Sequence, residues 1–371
     1  MDLFKFATTN ADKTVLENGM AINGYSSAMW TERYAEPGSL EIKGKLSSGL
    51  KDFLPEGTFV GHIDTMEVMI VENHEINETR DEDPDLTITG RTMPSYLENR
   101  IAGTNQARTS SLKDFYTLPD DYTWNQVVKL INDHINSPAP VNDRMGNVTA
   151  INAVTGTSGT SEERDPSQKE ILGQVLEILA IDDLGIKTIR KNPFTGFGGD
   201  PDYTSFIVYR GTDRSNKIIF SWDAGDLESA DYLFSGKKWK TSAVVFGRYV
   251  QVVVDTTGYT GYNRRFMVVD GSDVDGHLDA VPTGATLTAV TNKLTTRGRQ
   301  KLKSQRRVSL SRTDVSNITK YQYRRDYNLG DMVTLQGNFG QFAKMMVVEH
   351  VEIDDENGES SHPTLSFPEE D

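Results

Sequence analysis

Cysteine is absent, which excludes disulfide staples and thiolate metal sites and agrees with assembly in a reducing cytoplasm. No run approaches the roughly 20 apolar residues that a membrane-spanning helix needs. The N-terminal MDLFKFATTNADK lacks a basic region followed by a long apolar one, so no signal peptide is evident and no membrane insertion is expected. Positive charge is also scarce: 39 Lys and Arg stand against 54 Asp and Glu, a net charge of −15. Phosphate contacts need cations, so tight nucleic-acid binding by the chain as a whole is disfavoured. No fixed-length repeat is present. What is there is a globular composition, 36% hydrophobic and 25% charged over 371 residues, a length that suggests two to three domains.

Residues 1–105 read as β-rich. Phe4 and Phe6 alternate with Lys5, Met29 to Tyr34 reads as a strand that turns at Glu36-Pro37-Gly38, and Leu40 and Ile42 form its return. Further strands follow around Phe59-Val60, Met66 to Val71, and Leu86 with Ile88, with an acidic hairpin tip at Glu82 to Asp85. Pro94 opens a short helix through Ile101. Residues 106–240 read as an α/β middle domain, helical to about 200: Trp124, Val127, Val128, Ile131 and Ile135 share one face, and Thr123 with Gln126 has capping-box spacing. Ser167 and Glu170 repeat that spacing before Ile171, Leu172, Val175, Leu176 and Leu179, with Gly185 as the expected stop. Strands are expected again at Phe206–Tyr209, Ile218–Phe220, Ala243–Phe246, Tyr249–Val254 and Phe266–Val269.

Residues 241–371 should form the last unit, interrupted by a basic helix and loop over about 286–325. Between Lys293 and Arg325 eleven cations, among them Arg297, Arg299, Lys301, Arg306, Arg307 and Arg312, face one acid, Asp314. Such a segment is either a solvated face or a docking surface for an acidic neighbour. Beyond it, Val333 and Leu335 alternate with polar neighbours, Gly337 to Gly340 makes a turn, and Asn357-Gly358 is a favoured hairpin pair. On the strand between them, Met345, Val347, Val351 and Ile353 are expected inside, with Lys344, His350 and Glu352 outside.

The run Tyr327-Asn328-Leu329-Gly330-Asp331, its strand and turn, and MMVVEHVEI resemble the end of a siphophage tail-tip protein, of the family related to the baseplate hubs of contractile tails. Three segments add to the resemblance: Thr89-Gly90-Arg91 with Tyr96 to Arg100, Gly211-Thr212-Asp213-Arg214 in a central strand pair, and the helix around Arg297-Gly298-Arg299. The resemblance implies a β-rich α+β fold of two small antiparallel β-barrels around an α/β middle region. It implies a virion protein assembled in the host cytoplasm, a homotrimeric ring at the tail tip. Its neighbours would be the distal tail or tube ring, the tape measure protein and a tip fibre or spike, with DNA met only in passage.

Chemical signatures are sparse. Phe197-Gly198-Gly199-Asp200 has no following Lys-Ser/Thr, and Gly156-Thr157-Ser158-Gly159 lacks nucleophile-elbow spacing. His74-Glu75-Ile76-Asn77-Glu78 has glutamate where a zincin needs its second histidine. Asp273-Val274-Asp275-Gly276 fits a turn better than a calcium loop, and His62, Asp64 and His134 are expected at the surface. No cofactor, metal or catalytic residue is therefore assigned, and an enzyme is not expected. The alternatives are a carbohydrate-binding adhesion module and, less favoured, a wall hydrolase, for which a chain ending just past its last strands leaves no room.

Overall fold

The computed structural model describes residues 1–8, 15–80, 82–103, 116–138, 141–145, 148–155, 159, 161–164, 166, 169–190, 202–256, 258–275, 278, 280–303, 305, 308–315, 320–337 and 342–366. The first part of the chain holds β1 (Leu3–Thr8), β2 (Val15–Ala21), β3 (Tyr25–Arg33), β4 (Ser39–Lys45), α1 (Leu50–Phe53), β5 (Phe59–His62), β6 (Val68–Asn77) and β7 (Asp85–Thr92). The 3₁₀ turn Met93–Asn99 follows, with Pro94 in its first turn. The middle contributes β8 (Leu118–Tyr122), α2 (Thr123–Ile131), β9 (Thr149–Asn152), β10 (Ser161–Arg164), α3 (Ile171–Leu179), β11 (Gly185–Arg190) and β12 (Asp202–Tyr209). Then come β13 (Ile219–Ser221), β14 (Leu227–Ser235), β15 (Ser242–Phe246), β16 (Gln251–Asp255), β17 (Phe266–Asp270), α4 (Ser272–Asp275) and α5 (Gly284–Lys303). The chain closes with β18 (Val308–Val315), β19 (Met332–Gln336), β20 (Phe342–Asp355) and β21 (Gly358–Ser366).

Most strands join one hydrogen-bonded path, β11-β12-β2-β1-β5-β6-β7-β4-β3-β20-β21-β18-β14, with β19 and β13 attached beside β20 and β9 beside β12. The β-rich α+β character is as expected, but no closed barrel is found among the described residues. Strands from the two ends of the chain meet directly where β3 pairs with β20, from Arg33↔Glu349 to Ala28↔Asp354. Val308–Val315, read from sequence as a basic loop, is a strand between β14 and β21. Its Ser, Thr and Arg residues dilute the apolar alternation, and its partner β14 lies far away in sequence.

Four apolar clusters support this frame. Trp30, Leu40, Ile42, Met69 and Ile88 fill the N-terminal sheet. A second cluster packs α2 and α3 onto β11 and β12 through Val127, Leu130, Val175, Leu179, Ile186 and Phe206. The third joins Tyr34 to Phe220, Val333, Leu335, Met345, Val347 and Leu365. The fourth, separate in the sheet topology, packs α5 on β16-β15-β17.

Several local expectations change. The Thr123 hydroxyl bonds to Asp182 rather than capping its own helix, and Gln126 is held between Pro119 O and Arg164. Gly185 does not stop α3 but begins β11, where a side chain would collide with the Tyr34 ring. α2 runs on as one π turn, Asn132–Asn136, which turns His134 inward: its Nδ1 bonds Leu130 O at 2.8 Å and its Nε2 accepts Gly103 N at 2.9 Å. Asp275, in a helical turn, is fully buried, and its carboxylate accepts the amides of Arg248, Tyr249 and Val250 in the β15–β16 turn. The hairpin loop at the chain's end is Glu356-Asn357, with Gly358 (φ +108°) already in β21. Residues 338–341, where the turn after Gly337 is expected, lie outside the described residues, as do 197–200 and 156–158.

Candidate functional site

Five residues singled out from the sequence converge. Gly330 takes the left-handed conformation (φ +83°) that an L side chain resists, at the turn into β19. Asp331 then turns inward, 3% exposed. Its carboxylate accepts Thr212 N at 2.7 Å, Asn328 N at 2.9 Å and Arg214 Nε at 2.7 Å. Met332 N donates to Thr212 O at 3.0 Å and Arg214 N to Met332 O at 2.8 Å, so the two segments bridge at Asp213. The Asp213 carboxylate receives the Ser215 hydroxyl at 2.6 Å and Lys344 Nζ at 2.9 Å, and these hold its pKa down at about 2. Gly211 passes so close that a Cβ there would lie 1.9 Å from Gly330 O. Tyr34 roofs the clamp: its hydroxyl donates to Asp183 O at 2.9 Å and accepts Gly211 N at 3.3 Å. Burial pushes that phenol up to about 12. A carboxylate saturated by amides and a guanidinium is a structural tie rather than a base.

A second polar centre, which the sequence did not signal, joins β3, β5 and β20 to the loop before β19. Glu32, 5% exposed, accepts Trp30 Nε1 at 3.0 Å, Tyr323 OH at 2.7 Å and Arg324 Nη2 at 3.0 Å. Arg324 Nη1 reaches Glu352 at 2.7 Å, and His62 and His350 each lie 3.7 Å from that carboxylate. Tyr323 stacks on His350 with ring centroids 3.8 Å apart. Burial alone would raise the Glu32 carboxyl, but Arg324, Tyr323 and Trp30 override it and hold it at about 2. Burial, and then Arg324, depresses His62 to about 4. Burial likewise lowers His350 to about 3, with Arg324 adding to it. Glu67 is raised by burial and then by repulsion from Glu32; its oxygens accept Thr188 N at 3.2 and 3.3 Å. Arg324 adopts φ +65°, a conformation that costs about 1–2 kcal/mol, which its two carboxylates offset.

This cluster corrects the surface placement of His62 and the register beyond Val347. β20 carries a bulge between Val347 and Glu349 in its pairing with β21. One extra residue reverses the alternation, so His350 points in and Val351 and Ile353 are only half-buried. Lys344, ahead of the bulge, is exposed as expected.

The basic candidates are dispersed. On α5, Arg299 is exposed, Arg297 Nη1 donates to Asp270 O at 3.3 Å, and Lys301 Nζ pairs with Glu177 at 2.5 Å. A cleft of about 530 Å³ between α3 and α5 is lined by Arg164, Lys169, Lys293, Arg297 and Lys301 against Glu177 and Asp270. Arg312 lies in β18 opposite Asp231 and Thr364. Arg306 and Arg307 lie outside the described residues. Gly90 has its α-carbon against Ile70 O, 2.3 Å from where a Cβ would stand. Arg100 lies 5.5 Å from the Tyr96 ring centre. Among the described residues no group of three or more His, Cys, Asp or Glu is placed to hold a metal ion.

Gly298 lets α5 sit on the small sheet: a Cβ there would lie 2.7 Å from Val254 Cγ2 and 2.9 Å from Val245 Cγ2. Alanine normally gains about 1 kcal/mol over glycine in a helix. Here Gly298→Ala is expected to lose about 1–3 kcal/mol through overpacking. Thermal melting checks this, and a gain in stability would show that α5 is not seated so closely.

The fold is shared with phage tail proteins. The prophage MuSo2 43 kDa tail protein of Shewanella oneidensis matches with a TM-score of 0.56 at 10% identity over 99% of both chains. A tail protein of Neisseria meningitidis MC58 matches at 0.55 and 12% over 95% of each. Prophage tail protein gp18 of Listeria monocytogenes EGD-e matches at 0.50 and 11%, over 100% of this chain and 96% of that one. No curated protein matches the sequence. The chain belongs to the Siphovirus ReqiPepy6 Gp37-like protein family, whose model matches residues 14–367.

Proposed function

We propose that this chain is a structural component of a phage tail tip, a trimeric hub ring that joins the tail tube to the distal tip or fibre and lets DNA pass. The observation that carries the reading is the siphovirus family match over residues 14–367. The fold agrees with it, being that of phage tail proteins over nearly the whole chain. The two polar centres fit a load-bearing role, because both tie distant segments and neither presents a reactive group. Residues 1–105, 106–240 and 241–371 are proposed as the units of the hub, and a net charge of −15 suits a bore through which DNA must slide. Imaging of the purified chain and of assembled tails tests the reading, with a threefold ring at the tip as the expected result. A stable dimer inside tail particles would sink it.

The basic side of α5, on which Arg299 is exposed and Arg297 and Lys301 are half-buried, is proposed to meet an acidic neighbour in the tail. Reversing Arg297, Arg299 and Lys301 to Glu is expected to impair incorporation into tails. Melting should fall modestly, because Lys301→Glu sets a carboxylate against Glu177 in a half-buried contact, whereas Arg299→Glu alone, at an exposed position, should shift stability within about 0.5 kcal/mol. Incorporation at the normal level, measured by mass spectrometry of tails, would remove α5 from the interface.

A further inference from the structure

An aromatic platform stands in the loop between β16 and β17. Gly258 (φ +89°) and Gly261 (φ +56°) take the left-handed conformation, and a 3₁₀ turn over Gly261–Asn263 carries Tyr262 at its centre. The turn is pinned at both ends. Arg264 N donates to Gly261 O at 3.1 Å, and the Thr241 hydroxyl donates to Asn263 O at 3.1 Å and accepts Arg265 N at 2.8 Å. Tyr262 is 90% exposed and Tyr259 39%, whereas Trp239 is buried. The Arg265 guanidinium lies 4.8 Å over the Trp239 ring and 5.9 Å over that of Tyr262, and its Nη1 donates to Gly236 O at 2.8 Å. Tyr259 meets Trp239 edge to face at 5.1 Å. A buried indole thus anchors both tyrosines, one directly and one through a guanidinium. One face of Tyr262 rests on Arg265, and its exposure leaves the other open.

Charge, chemistry and size decide what fits. Both neighbouring arginines are committed, Arg265 as described and Arg264 to the Asp255 carboxylate at 2.8 and 3.0 Å. Residues 258–263 themselves hold no charge, so a nucleic acid or an anionic polymer meets no spare counter-charge there. They include no aliphatic side chain either, which an apolar helix or sheet would require. What they offer is flat rings with hydroxyl rims, beside the exposed hydroxyl of Thr260 and amide of Asn263. A pyranose has the complement: a C–H face for the electron-rich face of an aromatic ring, and hydroxyls for the polar rim. Two tyrosines at these exposures present on the order of 300 Å². That covers one or two sugar units but falls well short of the roughly 800 Å² per partner of a stable protein interface. Tyrosine also gives contact area at low entropic cost, with only two χ angles to fix. We propose that the open face of Tyr262, with Tyr259 on the same Trp239–Arg265 anchor, binds a neutral saccharide. The hub reading supplies only the place where the sugar is met, the distal end of a tail; the site itself stands on the loop.

The test titrates the full chain with neutral trisaccharides (maltotriose, cellotriose, mannotriose and chitotriose), read by saturation-transfer NMR. Poly(glycerol phosphate) and an oligothymidylate serve as anionic probes. At least one trisaccharide is expected to bind, with a Kd on the order of 1 mM. Tyr262→Ala should weaken that binding roughly tenfold. Tyr262→Phe, which keeps the ring, should weaken it by less than about threefold. The melting temperature should hold in both, as for other exposed side chains. If Tyr262→Ala does not fold, Tyr262→Asn, a residue at home in turns, carries the same expectation. No trisaccharide binding up to about 10 mM, binding that survives loss of the ring, or a preference for either anionic probe would each overturn the inference. All three outcomes leave the hub reading standing, because imaging reads the ring independently of this loop. A missing ring, in turn, would leave the saccharide site standing.

Discussion

Gly211→Ala is expected to destabilise the chain by about 3 kcal/mol or more, the upper end of what overpacking costs. The colliding atoms are backbone: a Cβ at position 211 would stand 1.9 Å from Gly330 O and 2.0 Å from its carbonyl carbon. No rotamer change relieves that contact. Gly330 cannot move away either, because its own Cβ position lies 2.2 Å from the Tyr34 ring. Separating the strands would strip Asp331 of Thr212 N and Arg214, leaving a buried carboxylate with partners missing. Asp331→Ala should therefore approach the same loss, while Lys344→Ala, at an exposed pair with Asp213, should stay within about 1 kcal/mol. Denaturant unfolding of the three variants checks the ranking. Equal effects from Gly211→Ala and Lys344→Ala would show that the clamp is not closed.

The stability contributed by His62 and His350 is expected to fall as pH is lowered from about 7.5 to 5. The folded state holds His62 at about 4 and His350 at about 3, against 6.5 for an ordinary imidazole. Below pH 6.5 the unfolded chain binds protons that the folded chain refuses, so each histidine contributes stability that is present above that pH and lost as pH falls toward the folded value. Linkage puts the loss at roughly 2 kcal/mol per imidazole by pH 5. Burial dominates both shifts, and the charged groups around the pair come from every element packed there. Arg324 opposes protonation of both, and so do the N-terminus at His62 and His362 at His350. Glu32 favours it for both and Asp64 for His62. Glu67 and Glu352 are raised and work in the opposite sense, gaining relative stability as pH falls. Because unfolded glutamates are still largely ionised at pH 5, these two carboxyls oppose the histidines across this window, and the histidine contribution is read as the difference between the parent and a variant lacking both imidazoles. Relative to the parent, the double variant His62→Gln/His350→Gln should lose less, or gain more, melting temperature between pH 7.5 and 5. An unchanged slope would place the acid sensitivity elsewhere.

Much was legible because it is local. The alternation of Val333 and Leu335, the stripe from Trp124 to Ile135 and the apolar positions of α3 each follow from a short-range period and one buried face. The class of protein was legible as well, through short motifs in order along the chain. Gly211, Asp213, Arg214, Gly330 and Asp331 stood out within their separate segments, yet nothing in sequence said that they touch.

Tertiary structure decided the rest, wherever a residue's environment is supplied by distant segments. His62, His134 and His350 look like surface residues because a polar side chain is buried only when partners meet it, and those partners come from elsewhere in the chain or from an irregular turn. The bulge before Glu349 reverses the face of every later residue in β20, and a pairing irregularity leaves no mark on apolar periodicity. β14 and β18 recognise each other across the whole α5 unit, so neither had a local signal strong enough to define it. Arg324, one cation in a basic run, turns inward because Glu32 and Glu352 arrive from two other strands. Sequence alone thus determined periods, turns and the family. Long-range pairing determined which polar groups are buried, since a charge leaves water only where folding brings its counter-charge.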